Sequence, residues 1–192
     1  MQKKNISKDW LTFFEKSNQL ESPDYENTLR YFQKFADNTP YVKIKNIGLS
    51  PQGRELKVII VSKDKAFSAE QARKTGKAIV LIQNGIHPGE VEGKDACMLL
   101  LREILITKEK QFLLDNTIIL IIPVLNVDGH ERISPFNRPN QNGPKKMGWR
   151  TDSLNLNLNR DYLKADSPEI RSFLKLFNDW LPSEKYTIGG KN

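Results

Sequence analysis

Two nearly continuous apolar runs, residues 78–82 and 117–125, constrain this chain more than any other feature. A strand with one wet face alternates apolar and polar residues. An unbroken aliphatic and β-branched run marks a strand covered on both faces. Between the runs, from about residue 92 to 106, Ala96, Leu99, Leu100 and Ile104 recur at helical spacing. Buried strand, helix, buried strand is a βαβ unit, and a right-handed crossover makes its strands parallel. Ligands in such sheets bind beyond the carboxyl ends of the strands. Two segments fall there: the loop His87-Pro88-Gly89-Glu90 and the turn Asn126-Val127-Asp128-Gly129.

The flanking elements read more conventionally. Asp24 is placed to cap a helix carrying Leu29, Tyr31, Phe32 and Phe35, ending before Asn38 and Pro40. Residues 42–47 and 56–61 read as strands, and Ser50-Pro51-Gln52-Gly53 is turn chemistry, so an antiparallel hairpin is expected. Ser68 caps a short helix that Gly76 stops. Pro168 opens a last helix with Ile170, Phe173, Leu174, Phe177 and Trp180, closed by Pro182. The stretch 129–162 is rich in Pro, Asn and Gly, and a loop of this length is uncommon in a compact domain unless it serves a function.

Composition excludes several classes. A chain of 192 residues with 38% hydrophobic and 28% charged residues suits one globular domain rather than a disordered segment. The net charge of +7 raises a nucleic-acid partner, but the lysines are spread along the chain, so a solvated basic surface is expected and nucleic acid is not. The single cysteine, Cys97, rules out an intramolecular disulfide and lies in the apolar pattern of a helix, which favours a buried structural thiol. Met1-Gln2-Lys3-Lys4 begins like a signal peptide, yet residues 5–15 supply no apolar centre. No apolar run approaches the roughly 18 residues of a membrane span. As written, the chain reads as untargeted and cytoplasmic.

A His and a Glu three residues apart at a strand-to-helix junction can aim an imidazole nitrogen and a carboxylate at one point. That is two-thirds of a His₂Glu zinc set. The spacing recurs by chance, so its weight comes from its position. A second constellation follows: Gly148-Trp149-Arg150-Thr151, then Asn155 through Tyr162 with Asn157, Asn159 and Arg160. Arginines and asparagines in a loop facing a metal would form a pocket for an anion, since a guanidinium fork matches a carboxylate. The plainer alternative is ion-paired surface arginines and turn-capping asparagines.

Together these segments resemble the zinc carboxypeptidases of the carboxypeptidase A-like metallopeptidase family, bacterial members especially through Asn126-Val127-Asp128-Gly129-His130-Glu131-Arg132. The resemblance runs from about Trp10 to Pro182. It implies a mixed, partly parallel α/β sheet flanked by helices, and one zinc ion held in part by His87 and Glu90. It implies that Arg150 polarises the scissile carbonyl and stabilises its oxyanion, and that Asn159 and Arg160 grip the C-terminal carboxylate of a peptide or protein substrate. Related peptidases are often secreted or periplasmic.

The departures are specific. The family's third zinc ligand is a His on the strand after the helix that here ends at Trp180. This chain has two histidines, His87 and His130, and after Pro182 it reads Ser-Glu-Lys-Tyr-Thr-Ile-Gly-Gly-Lys-Asn. The family's catalytic Glu and substrate-contacting Tyr, which lie further on, are missing too. His130 reads as a surface or turn residue. Glu92 suits a helix start, and Asp128 suits local backbone donors in its turn; neither reads as a replacement base. The expected organisation is an arm (1–22), the N-terminal part of a zinc carboxypeptidase-like domain (23–182), incomplete on its C-terminal side, and a polar tail outside the family pattern (183–192). The expected function is zinc-dependent hydrolysis of C-terminal peptide bonds, with this chain an incomplete or inactive version that binds zinc weakly or not at all. The alternatives are a non-catalytic module for peptide C-terminal carboxylates, or a related zinc amidohydrolase of the desuccinylase/aspartoacylase type.

Overall fold

In the computed structural model, which describes residues 6–188, the two apolar runs lie side by side at the heart of one sheet. Its strands are β1 (Val42–Leu49), β2 (Glu55–Val61), β3 (Ala78–Asn84), β4 (Thr117–Ile122) and β5 (Glu184–Ile188), in the order β1-β2-β4-β3-β5. β3 and β4 pair in parallel, from Ala78 beside Thr117 to Gln83 beside Ile122. β1 and β2 form the expected antiparallel hairpin, with a bulge between Asn46 and Gly48. β2 also runs antiparallel to β4, which makes the sheet mixed.

The helices are α1 (Phe13–Lys16), α2 (Tyr25–Asn38), α3 (Ala69–Thr75), α4 (Glu92–Leu105), α5 (Leu113–Asn116), α6 (Val127–Glu131) and α7 (Pro168–Trp180). Their starts follow the capping residues. Asp24 accepts from Asn27 N–H, Ser68 and Gln71 form a reciprocal capping box, and Ser167 accepts from Ile170 N–H ahead of Pro168.

Alternate residues of β4 explain why its sequence is apolar throughout. Ile118, Leu120 and Ile122 pack with Ile170, Phe173 and Trp180 of α7 on one face, while Ile119 and Ile121 meet Phe32, Phe35, Met98 and Leu101 of α2 and α4 on the other. Both faces are dry, so period-two alternation has no polar half. Phe32 and Phe35 are fully buried, and each contributes roughly 1.5–3 kcal/mol by leaving water.

Three expectations are revised. The run at 117–125 is a strand only to Ile122, because Pro123 has no N–H to give a ladder, although Leu125 N–H still donates to Asn84 O. The turn at 126–129 is the start of α6, capped by Asn126. The segment read as a polar tail, 183–192, forms β5 over Glu184–Ile188, parallel to β3 on the edge of the sheet. An edge strand with both faces largely wet needs no apolar alternation. The signal-peptide-like start at 1–4 and the closing residues 189–192 lie outside the described residues.

Of the N-terminal stretch, residues 6–22 are described, and Trp10 and Glu15 pack on the helices. Trp10 stacks on Phe35 with centroids 5.2 Å apart, and Tyr31 Oη donates to Trp10 O. Arg102 of α4 grips Glu15 with two donors, at 2.6 and 2.9 Å. Among the described residues, no helix is long and apolar enough to cross a membrane.

Candidate functional site

The His87–Glu90 turn is set by the ends of β3 and β4. Beyond the last paired residues, Leu125 N–H donates to Asn84 O and Asn126 N–H to Gly85 O, so the two loops leave the sheet joined. Glu90 N–H then donates to His87 O at 2.9 Å, a tight turn that brings the two side chains together. His87 Nδ1 lies 3.0 and 3.2 Å from the two oxygens of Glu90. Both side chains are buried, at 3% and 4% exposure. On the other side of the ring, His87 Nε2 lies 3.2 Å from Asn157 Oδ1.

The long loop closes over this turn at fixed points. Gly148 N–H donates to Pro88 O, Trp149 N–H to Gly129 O, and Asn126 Nδ2 to Arg150 O. These contacts carry Arg150 to the site, with its guanidinium 3.8 Å from Glu90 Oε1 and about one-third exposed. A second guanidinium, from Arg138, reaches the same oxygen at 3.3 Å and is buried. Gly89 makes that approach possible: a Cβ there would sit 2.7 Å from Arg138 Cγ and 2.6 Å from Gln141 Oε1.

Of the residues singled out in the sequence, His87, Glu90 and Arg150 are therefore brought together. Asn159 and Arg160 lie on the 3₁₀ turn Leu158–Arg160, two and three residues beyond Asn157. Neither hydrogen-bonds to His87 or Glu90; the exposed Arg160 guanidinium donates to Asn159 O. His130 is not at the surface. It is 4% exposed, with Nδ1 2.7 Å from Glu131 Oε1, and burial pushes its pKa down. Asp128 serves distant groups more than its own turn, accepting from Ser50 Oγ, Gln52 N–H, Arg54 and Ser153 Oγ. Burial opposes its charge, but those donors outweigh burial and hold its carboxyl below the ordinary value. Glu92 is exposed in the first turn of α4, as its position predicts. Cys97 is buried, its thiol pushed up to about 12 by burial, which fits a structural role.

Arg138 and Asn157 were missed. Arg138 stands in the loop without a motif of its own, and only the space above Gly89 reveals where it goes. Asn157 was in view as one of several asparagines, but spacing alone does not say which one meets the imidazole.

The donors present fit a zinc ion at two positions. Among the described residues, no group of three or more His, Cys, Asp or Glu side chains is placed to hold a metal. A protein zinc site ordinarily uses three or four ligands. The two guanidiniums on Glu90 add positive charge that a dication has to overcome.

The same fold recurs in solved structures. A metallo-carboxypeptidase from Burkholderia cenocepacia superposes with a TM-score of 0.67 at 17% identity, covering 87% of this chain and 41% of its own. The carboxypeptidase A of Helicoverpa armigera gives 0.65 at 20% identity, covering 88% of this chain and 46% of its own. Bovine thrombin-activatable fibrinolysis inhibitor, solved with a tick carboxypeptidase inhibitor, gives 0.65 at 18% identity, covering 87% and 59%. The chain thus spans about two-fifths of the length of the bacterial relative. No curated protein matches it in a sequence comparison. The zinc carboxypeptidase family model matches residues 28–180, and with the site geometry and the shared fold this places the chain in the zinc carboxypeptidase family.

Proposed function

We propose that this chain carries part of a carboxypeptidase site: two metal donors, His87 and Glu90, with Arg150 for the scissile carbonyl and Asn159 and Arg160 for the terminal carboxylate of a peptide. The observation that carries this reading is the buried convergence of His87 Nδ1 and both Glu90 oxygens at 3.0–3.2 Å, with Arg150 beside the same carboxylate. Zinc bound there would supply a Lewis acid and an acidified water. Asn157 would hold the His87 ring by its far nitrogen, as partners of metal-binding imidazoles do. The partly exposed Arg150 keeps donors free for an oxygen that gains charge, and a guanidinium at Arg160 suits the flat carboxylate of a peptide end.

The two-donor set limits what the chain does alone. We infer weak zinc binding and little or no peptide hydrolysis, because among the described residues neither a third ligand nor a base to activate water is placed at the turn. Calorimetry with a blocked dipeptide and its C-terminal amide tests the carboxylate pocket, and release of the free amino acid tests turnover. Binding of the free acid over the amide, with turnover near background at saturating zinc, is expected. Equal binding of acid and amide, or zinc-dependent turnover well above background, would contradict the reading.

A further inference from the structure

A cavity of about 500 Å³ opens beside Gly89, between the N-terminal arm, the first half of α4 and residues 141–144. That volume lies within the usual range for a small-ligand site. Phe14, Leu20, Val91 and Leu99 give it an apolar wall. Glu21, Glu92 and Asp95 give it carboxylates, and no Lys, Arg or His among the described residues lines it. On a chain of net charge +7, this is a local reversal of sign.

Two buried acceptors in the cavity wall lack donors. Asp95 is only 5% exposed; its Oδ2 accepts from Ser22 Oγ, while its Oδ1 has no hydrogen-bond partner. Gln141 Oε1 is also buried and unpartnered. Burial raises the Asp95 carboxyl above its ordinary value, with Lys94 and the Ser22 hydroxyl pulling the other way, and the Lys94 ammonium itself donates to Pro23 O. A buried acceptor without a donor is costly, and both of these belong to residues that line the cavity beside its apolar wall. The cavity is complementary to a group with several donors on an apolar stem.

We propose that the cavity binds a cationic side chain, an arginine or lysine of a peptide whose backbone passes Gly89 on its way to the His87–Glu90 turn. The cation would meet Asp95, Glu92 and Gln141, and its methylenes would lie against Val91 and Leu99. The peptide as source rests on the function proposed above; binding of the cation itself does not.

The test uses n-butylguanidinium and its neutral isostere n-butylurea, titrated into the full chain by calorimetry with and without zinc. The guanidinium is expected to bind at least tenfold more tightly than the urea, with zinc making no difference. Glu92→Gln and Asp95→Asn should each weaken binding at least fivefold. Glu92 is exposed, so its variant stays informative should Asp95→Asn loosen the arm at Ser22. Equal binding of the two probes, or affinity untouched by Glu92→Gln, would overturn the cation site. A blocked tripeptide with arginine at its first position should displace n-butylguanidinium better than its citrulline counterpart. Equal displacement would overturn the peptide as its source, whatever the turnover assay shows.

Discussion

Glu169 offers a sharp test of the physical account, because its chemistry lies entirely inside the fold. It sits in the first turn of α7, fully buried. Burial, with the charges of Asp152 and Asp128 adding to it, pushes its carboxyl from 4.5 up to about 7, against the pull of the Ser167 hydroxyl. Oε2 accepts from Ser167 Oγ, and Oε1 has no partner. The folded protein therefore holds a proton here that the unfolded chain has released. This stability is fully present below about pH 4.5 and is lost as pH rises through about 7. At about 1.36 kcal/mol per pH unit the window amounts to about 3 kcal/mol, an upper figure for a group that relaxes when charged. Glu169→Gln replaces the neutral acid with a neutral amide of the same shape. Urea unfolding of both proteins between pH 4 and 8 should show similar stability at the acid end. At pH 8 the variant should be more stable by roughly 2–3 kcal/mol. A difference that stays constant across the range would refute the argument, since a plain packing defect has no pH dependence.

Three further outcomes follow from the site and its surroundings. Arg138→Gln leaves buried Glu90 without its nearest guanidinium and should cost about 3 kcal/mol in urea unfolding; a loss within 0.5 kcal/mol would mean that Arg138 does not hold the turn. Asn157→Ala frees the His87 ring and should weaken zinc binding about tenfold at unchanged fold, read with a competing chelating dye; unchanged affinity would remove Asn157 from the site. Cys97 should resist a disulfide reagent at pH 8 in the native protein and react fully in denaturant; rapid native labelling would contradict its burial and raised pKa.

The central strands were legible because burial on both faces leaves an unmistakable run of apolar residues. The helix starts were legible because Asp24 and Ser68 cap and Pro168 opens by purely local chemistry. What failed to show was non-local. β5 is held by its pairing to β3, and a wet edge strand carries no pattern of its own. His130 looked like a turn residue because four positions around Gly129 cannot reveal that the 147–149 segment covers them. Asp128 resembled a local turn former, yet its partners are Ser50, Gln52, Arg54 and Ser153, some 75 residues upstream and 25 downstream. The same holds for the site. His87 and Glu90 share one turn and could be read together, whereas Arg138 reaches Glu90 across 48 positions of chain.

The most direct test of the two-donor account is the zinc content of the purified 192-residue chain after dialysis against metal-free buffer, followed by a competition titration with a chelating dye. The account predicts substoichiometric retained zinc, weak binding on readdition, and loss of that binding in His87→Ala and Glu90→Gln. One tightly held zinc per chain, or zinc binding that survives both substitutions, would contradict it.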